Sequence, residues 1–409
     1  MALSSTSRIQ MRYAKESVFG KIDNTATTHD LRITGESLNF ELTKESSNEI
    51  NANRGATSMV ATQAQATGSI NGEMQYAEYD EFIAGTLQNA WVPFGMAGVS
   101  TPVDLNVTAT TITNTASATP GEEFTRLMAG QWFQLVGLPD TSPNKGKLFR
   151  VSKTTAPTST VITLDPGTPG AVETITGGKL SVSRLVNGVT QPSYTLEREV
   201  GDVGEYFAYR GMTPSSMTLA IATASLSTVE FAFMGRDALA DDAGSMLPTP
   251  SQPSKSFDIM SGVEGVPCAL WVGGAPLAGT FVNSINLTYD NTLRMQNAIC
   301  SLGAVGIGSG TIQVTVDLEV FFAQGRAFYD DFLKNKNTEV AFTAFDVEGN
   351  GYVFTLPNAN ISSYSLNAGG KDQDLMASIS LTGLLDIKNP DATQRGIVMI
   401  IDRIGAAVV

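Results

Sequence analysis

The chain traces one pattern twice, and the pattern is domain-sized. Ser37-Leu38-Asn39 in one alternating stretch returns as Ser284-Ile285-Asn286, and a carboxylate follows at matching distance in each, Glu73 and Glu319. EYDEFIAG and FYDDFLKN then set Tyr79, Asp80 and Phe82 against Tyr329, Asp330 and Phe332. Further on, VEFAFMG and ASISLTG bring Gly235 against Gly383. Shared order and spacing over so long a run argue for a duplicated unit, because a repeat of this size is one structural module copied. Each copy reads strand, long loop, strand, helix and four more strands, with the loop at 44–66 or 290–311. Only the first copy carries an inset, residues 101–189.

Period-two alternation marks the strands. In 33–43, Leu38, Phe40 and Leu42 alternate with Asn39, Glu41 and Thr43, the pattern of a half-buried strand. Further strands are expected at 68–76, 193–200, 205–212, 215–222 and 227–235, and a short amphipathic helix at 78–90, where Tyr79, Phe82, Ile83 and Leu87 share a face. Residues 1–32 show neither period and read as an extended arm. Residues 44–66 lack a core pattern and read as a loop, of a length that is usually functional. Pro, Ser and Gly make 241–256 a linker, and RGIVMIIDRI a closing tail. Val266 to Tyr289 carries no charge, but Pro267, Gly273, Gly274 and Pro276 interrupt it, so it reads as two buried strands rather than a membrane span.

The expected fold is all-β: two tandem β-sandwich or barrel domains, each with a short flanking helix, plus an inserted small β domain. The first is discontinuous, 33–99 and 190–240, and follows the arm 1–32. The second is 257–409. The inset 101–189 reads as self-contained, since Asp104, Glu122, Glu123, Asp140, Asp165 and Glu173 nearly balance Arg126, Lys145, Lys147, Arg150, Lys153, Lys179 and Arg184. It is expected to project outward.

Little catalytic material is present. His29 is the single histidine, which leaves no His triad or His-rich metal site. Gly306, Gly308 and Gly310 lack the βαβ context and the following Lys of a phosphate loop. Asp241-Asp242 and Asp330-Asp331 lack the alternating ligands of a calcium loop. No catalytic, cofactor or metal site is expected, and the chain is read as no enzyme. Cys268 and Cys300 are expected to be buried apolar residues, not a disulfide. The start, MALSSTSRIQMRYAKES, has no apolar core of a signal peptide. A net charge of −14 argues against wrapping nucleic acid through its phosphates.

The colinear series RYAKESVFGK, LRITGESLNFELTKESSNEINANRG, GSINGEMQYAEYDEFIAGTLQNAW and SYTLEREVGDVGEYFAYRGM resembles the tail tube proteins of long-tailed, siphovirus-like phages. The inset run AGQWFQLVGL with NKGKLFRV resembles an accessory β domain that some of them carry. The resemblance implies a structural virion protein made in the host cytoplasm, whose stacked rings form the conduit for DNA ejection. It implies that inner sheets of neighbours join around a lumen, that a long loop reaches the adjacent ring, and that six single domains close a ring. A duplicated chain would then form trimeric rings. Partners implied are copies of itself, tail terminator and tail tip proteins, and a tape measure protein in the lumen before ejection. DNA would pass without specific binding, and no membrane is involved. Alternating strands offer Glu73, Glu197, Glu199, Asp317 and Glu319 as lumen-facing acids, or equally as a solvated outer face. Glu45, Asn48, Glu49, Asn51, Asn53 and Arg54 are candidates for the inter-ring loop. The alternatives are a receptor-binding or carbohydrate-binding virion protein and a capsid decoration or surface-layer protein.

Overall fold

The computed structural model describes residues 5–116, 119–262, 270–277, 281–322, 327–367, 370–371, 374–387, 389 and 394–407. It is mostly antiparallel β. The principal elements are β1 (Ile9–Lys15), β2 (Thr28–Leu31), β3 (Asn39–Ser46), β4 (Met59–Glu73), α1 (Asp80–Leu87), β5 (Ser183–Val186), β6 (Tyr194–Val200), β7 (Glu205–Ala222), β8 (Thr228–Gly235) and β9 (Asp237–Asp241). After them come β10 (Val282–Asp290), β11 (Gln313–Phe321), α2 (Ala327–Leu333), β12 (Asn337–Phe345), β13 (Gly351–Asn367), β14 (Met376–Gly383) and β15 (Ile400–Ile404).

One element order occurs twice: β3-β4-α1-β6-β7-β8-β9 and β10-β11-α2-β12-β13-β14-β15. In each, a long strand serves two sheets. The first half of β7 pairs with β6 and β9, and its second half with β8. The first half of β13 pairs with β12 and β15, and its second half with β14. A β-bulge sits at the same point of each, leaving Ser215 unpaired between Pro214 and Ser216 and Ser362 unpaired between Ile361 and Ser363. A bulge bends its strand and re-aims the residues beyond it, which suits a strand leaving one sheet for another. Following the ladders outward places Asn39 where Thr288 lies and Asn71 where Glu319 lies. That is two residues from the sequence match, on the same face.

The two sets are joined edge to edge. β7 pairs with β10 from Ser216↔Asp290 to Ala222↔Ser284, so one sheet runs β3-β4-β8-β7-β10-β11-β14-β13. Its inward row Ile70, Phe231, Met217, Tyr289, Val314 crosses five strands in register and is buried in the main core.

Several expectations need correction. The arm is structural: β1 pairs with β6 along its whole length and with β2 on its other side. Residues 44–66 are mostly not loop, since β3 and β4 form a long hairpin from Asn39↔Thr67 to Ser46↔Met59 and only 47–58 connect them. The strands expected at 205–212 and 215–222 are one strand, β7. The closing tail is interior: β15 is buried throughout and lies between β5 and β13. The linker is docked, with Asp30 N donating to the Gln252 carbonyl at 2.8 Å. Cys300 is exposed, because it sits in the loop beyond β10; Cys268 lies outside the described residues.

The inset forms its own six-stranded sheet between Val103 and Ser181, with its own core around Phe133, Phe149 and Ile162. It does not stand free. Trp132 packs on Trp271 with ring centroids 4.6 Å apart, its backbone N–H donates to Asp402 at 3.0 Å, and its indole N–H donates to Thr355 at 3.2 Å. Arg150 and Lys153 both pair with Glu339. Burial alone would raise the Glu339 carboxyl, but the two cations outweigh it and hold the group below its ordinary range.

Candidate assembly surface

The outward face of the long sheet is polar because its strands alternate against the buried row. Asn71, Glu230, Thr218, Thr288, Thr315, Thr382 and Asn360 form one line across seven strands. A parallel line runs Glu73, Thr228, Ala220, Asn286, Asp317, Ser380, Ser363. Between the two outer strands the charged residues on this face are Glu73, Glu230, Asp290, Asp317 and Glu319, with Glu41 on β3 itself, and all are acidic. Asp317 accepts from the Ser380 hydroxyl, and Glu41 accepts from Gln65 Nε2 at 2.8 Å. Such a face repels phosphate, whose binding relies on cations that release counterions.

The ends of the sheet are open. Among the described residues, β3 is paired only with β4, and the second half of β13 beyond Asn360 only with β14. Unpaired edges recruit further strands unless something covers them.

The β3–β4 hairpin continues beyond the sheet. Glu45 lies on β3 opposite Val60, while Asn48, Glu49, Asn51, Asn53 and Arg54 lie in the connection. That connection is held by its own bonds: Thr57 Oγ1 donates to Glu49 at 2.8 Å, Asn53 N donates to the Asn51 side chain at 3.1 Å, and Asn51 Nδ2 donates to the Gly55 carbonyl. Arg54 takes the left-handed conformation, φ 58°. Ile50, Met59 and Val60 are apolar and exposed there.

A family model described as phage tail tube protein matches residues 6–383, nearly the whole chain. This chain belongs to the phage tail tube protein family. It is therefore a structural protein of the phage tail. No curated protein matches the sequence. The family match runs from β1 to the end of β14 and includes the inset, so the assembly surface described above lies within it.

Of the acids named from sequence, Glu73, Asp317 and Glu319 share the polar face. Glu197 and Glu199 do not. They lie on β6, in the other sheet, against β1. Glu197 is fully buried, accepting from Ser245 Oγ at 2.7 Å and from the backbone of Met246 at 2.6 Å and Leu247 at 3.3 Å. Glu199 pairs with Arg12 at 2.8 Å. The docked linker and the arm cover what alternation alone presents as a polar face. Glu41, Glu230 and Asp290 were missed, although VEFAF and the step from Tyr289 to Asp290 carry the same alternation. The edge residues Phe40, Tyr364 and Leu366 have no sequence signal, since they look like any core position.

Helix α1 is locked to the far end of the chain. Asp80 accepts from the Tyr352 hydroxyl at 2.7 Å and pairs with Arg403 on β15. Tyr13 stacks on His29 at 5.2 Å, and burial, with Lys255 nearby, lowers the His29 pKa from its ordinary value.

Proposed function

We propose that the chain is a tandem tube subunit: three copies close a ring of six similar units, and rings stack into a tube that conducts DNA. The observation that carries this reading is the β7–β10 pairing, which already joins two like strand sets into one sheet within a chain. The repeated element order and the paired bulges support two copies of one module. The acidic polar face then lines the channel, with Glu73, Asp317 and Glu319 among its charges, and keeps DNA from adsorbing.

The exposed hairpin tip, with Glu45, Asn48, Glu49, Asn51, Asn53 and Arg54 around Ile50, contacts the neighbouring ring. The inset decorates the outside, fixed to the second strand set. Terminator and tip proteins cap the tube, and a tape measure protein occupies the lumen before ejection. Concentrating the purified chain and imaging it by negative-stain electron microscopy tests the reading. Hollow tubes of stacked rings are expected; discrete trimers without stacking, or flat sheets, would overturn it.

A further inference from the structure

Two positions that match within the fold differ sharply in burial. Leu219 lies one step past Thr218 on the seam between the strand sets and is 1% exposed; Leu366, at the same place relative to its bulge, is 47% exposed. Across the seam Tyr289 is 0% exposed, whereas Phe40, which the ladders place in the same position on β3, is 38% exposed. The seam that β7 and β10 close inside the chain is thus open at its two ends. Beside the open β13 edge, Phe322, Tyr329, Tyr364 and Leu366 line a cavity of about 440 Å³.

We propose that the outer edge of β13 receives β3 of a second copy of this chain, in the register of the internal seam. This rests on the tube reading and adds the partner strand and its alignment. Internally Met217 faces Tyr289 and Thr218 faces Thr288; between chains Tyr364 therefore faces Phe40, and Ser365 faces Asn39. Phe40 of the incoming chain fills the cavity, and the acidic polar face continues unbroken. The contact is head to tail, so it closes a ring instead of a two-fold pair.

Cysteine cross-linking of the full chain in solution, with Cys268 and Cys300 replaced by Ser, tests the alignment. Thr218→Cys with Thr288→Cys is the internal control and should bridge within one chain, since directly opposed residues lie within disulfide reach. Ser365→Cys with Asn39→Cys should give covalent dimers and trimers and nothing larger, while Ser365→Cys with Glu41→Cys should give neither. If the control bridges and tubes form, but Ser365 and Asn39 yield only monomer, the edge proposal is wrong and the tube reading stands. Covalent trimers from a chain that never makes tubes would support the edge and sink the tube reading.

Discussion

Ser215 and Ser362 are the unpaired residues of two bulges that stand at the same point of two strands, each where the strand passes from one sheet to the next. Removing either residue turns the two-against-one step of its bulge into a regular ladder step, so the register survives and the bend of the strand is lost. Deleting Ser215 keeps Met217, Leu219 and Ile221 on the core face but removes the bend by which β7 passes from one sheet to the other inside the core, and should destabilise the chain. Deleting Ser362 disturbs an edge already open and should leave a soluble chain that does not polymerise. Thermal unfolding and sedimentation distinguish the two, and equal behaviour would show that the strands are not alike in role.

Replacing residues 47–58 by a two-residue Asn-Gly turn should shorten the hairpin without touching the sheet, because its own ladder ends at Ser46↔Met59. Ala64, whose N–H donates to the Leu302 carbonyl at 2.8 Å, stays in place. Rings should form and fail to stack. Tubes of normal axial spacing, seen by electron microscopy, would remove this tip from the inter-ring contact.

Asp80→Asn should destabilise the chain by about 3–5 kcal/mol, the usual cost of breaking one side of a buried ion pair. The Arg403 side chain is 7% exposed and loses its carboxylate partner. Denaturant unfolding measures the effect, and a change below about 1 kcal/mol, the range of exposed pairs, would show that the pair is not a clamp.

The inset junction should be sensitive to acid. Glu339 is held below its ordinary value of 4.5 in the folded chain. A carboxyl so depressed contributes stability that is present above the unfolded pKa and is lost as the pH falls through the folded one. Trp132 and Trp271 fluorescence should therefore change on acidification below the ordinary carboxyl value of 4.5, and Glu339→Gln should abolish that step. Excising 101–181 alone should give an unstable chain, since it strips Glu339 of both cations; adding Glu339→Gln should recover soluble protein. A soluble, fully stable excision variant without it would contradict this view of the junction.

What could be read from sequence follows burial. β4, β8 and β11 bury one face and show it in alternation, so Glu73, Asp317 and Glu319 lie opposite the buried row, as their spacing implies. The β3–β4 hairpin beyond Thr43 is exposed on both faces, and alternation reports burial of one face, so a ladder was read there as loop. Glu197 failed for the converse reason. Its face is covered by residues 245–247, some fifty positions away, and local pattern cannot announce a distant segment. Pro, Ser and Gly in the linker signalled irregular backbone correctly but not its docking, while β15 was too short and too near the end to show a period.

The rotational symmetry of the assembled tube, by cryo-electron microscopy of its cross-section, bears most directly on the tandem-subunit account. Three chains per ring are expected, with an inner wall in which the quartets β3-β4-β8-β7 and β10-β11-β14-β13 alternate, and three external projections from the inset. Six chains per ring with six projections would contradict it.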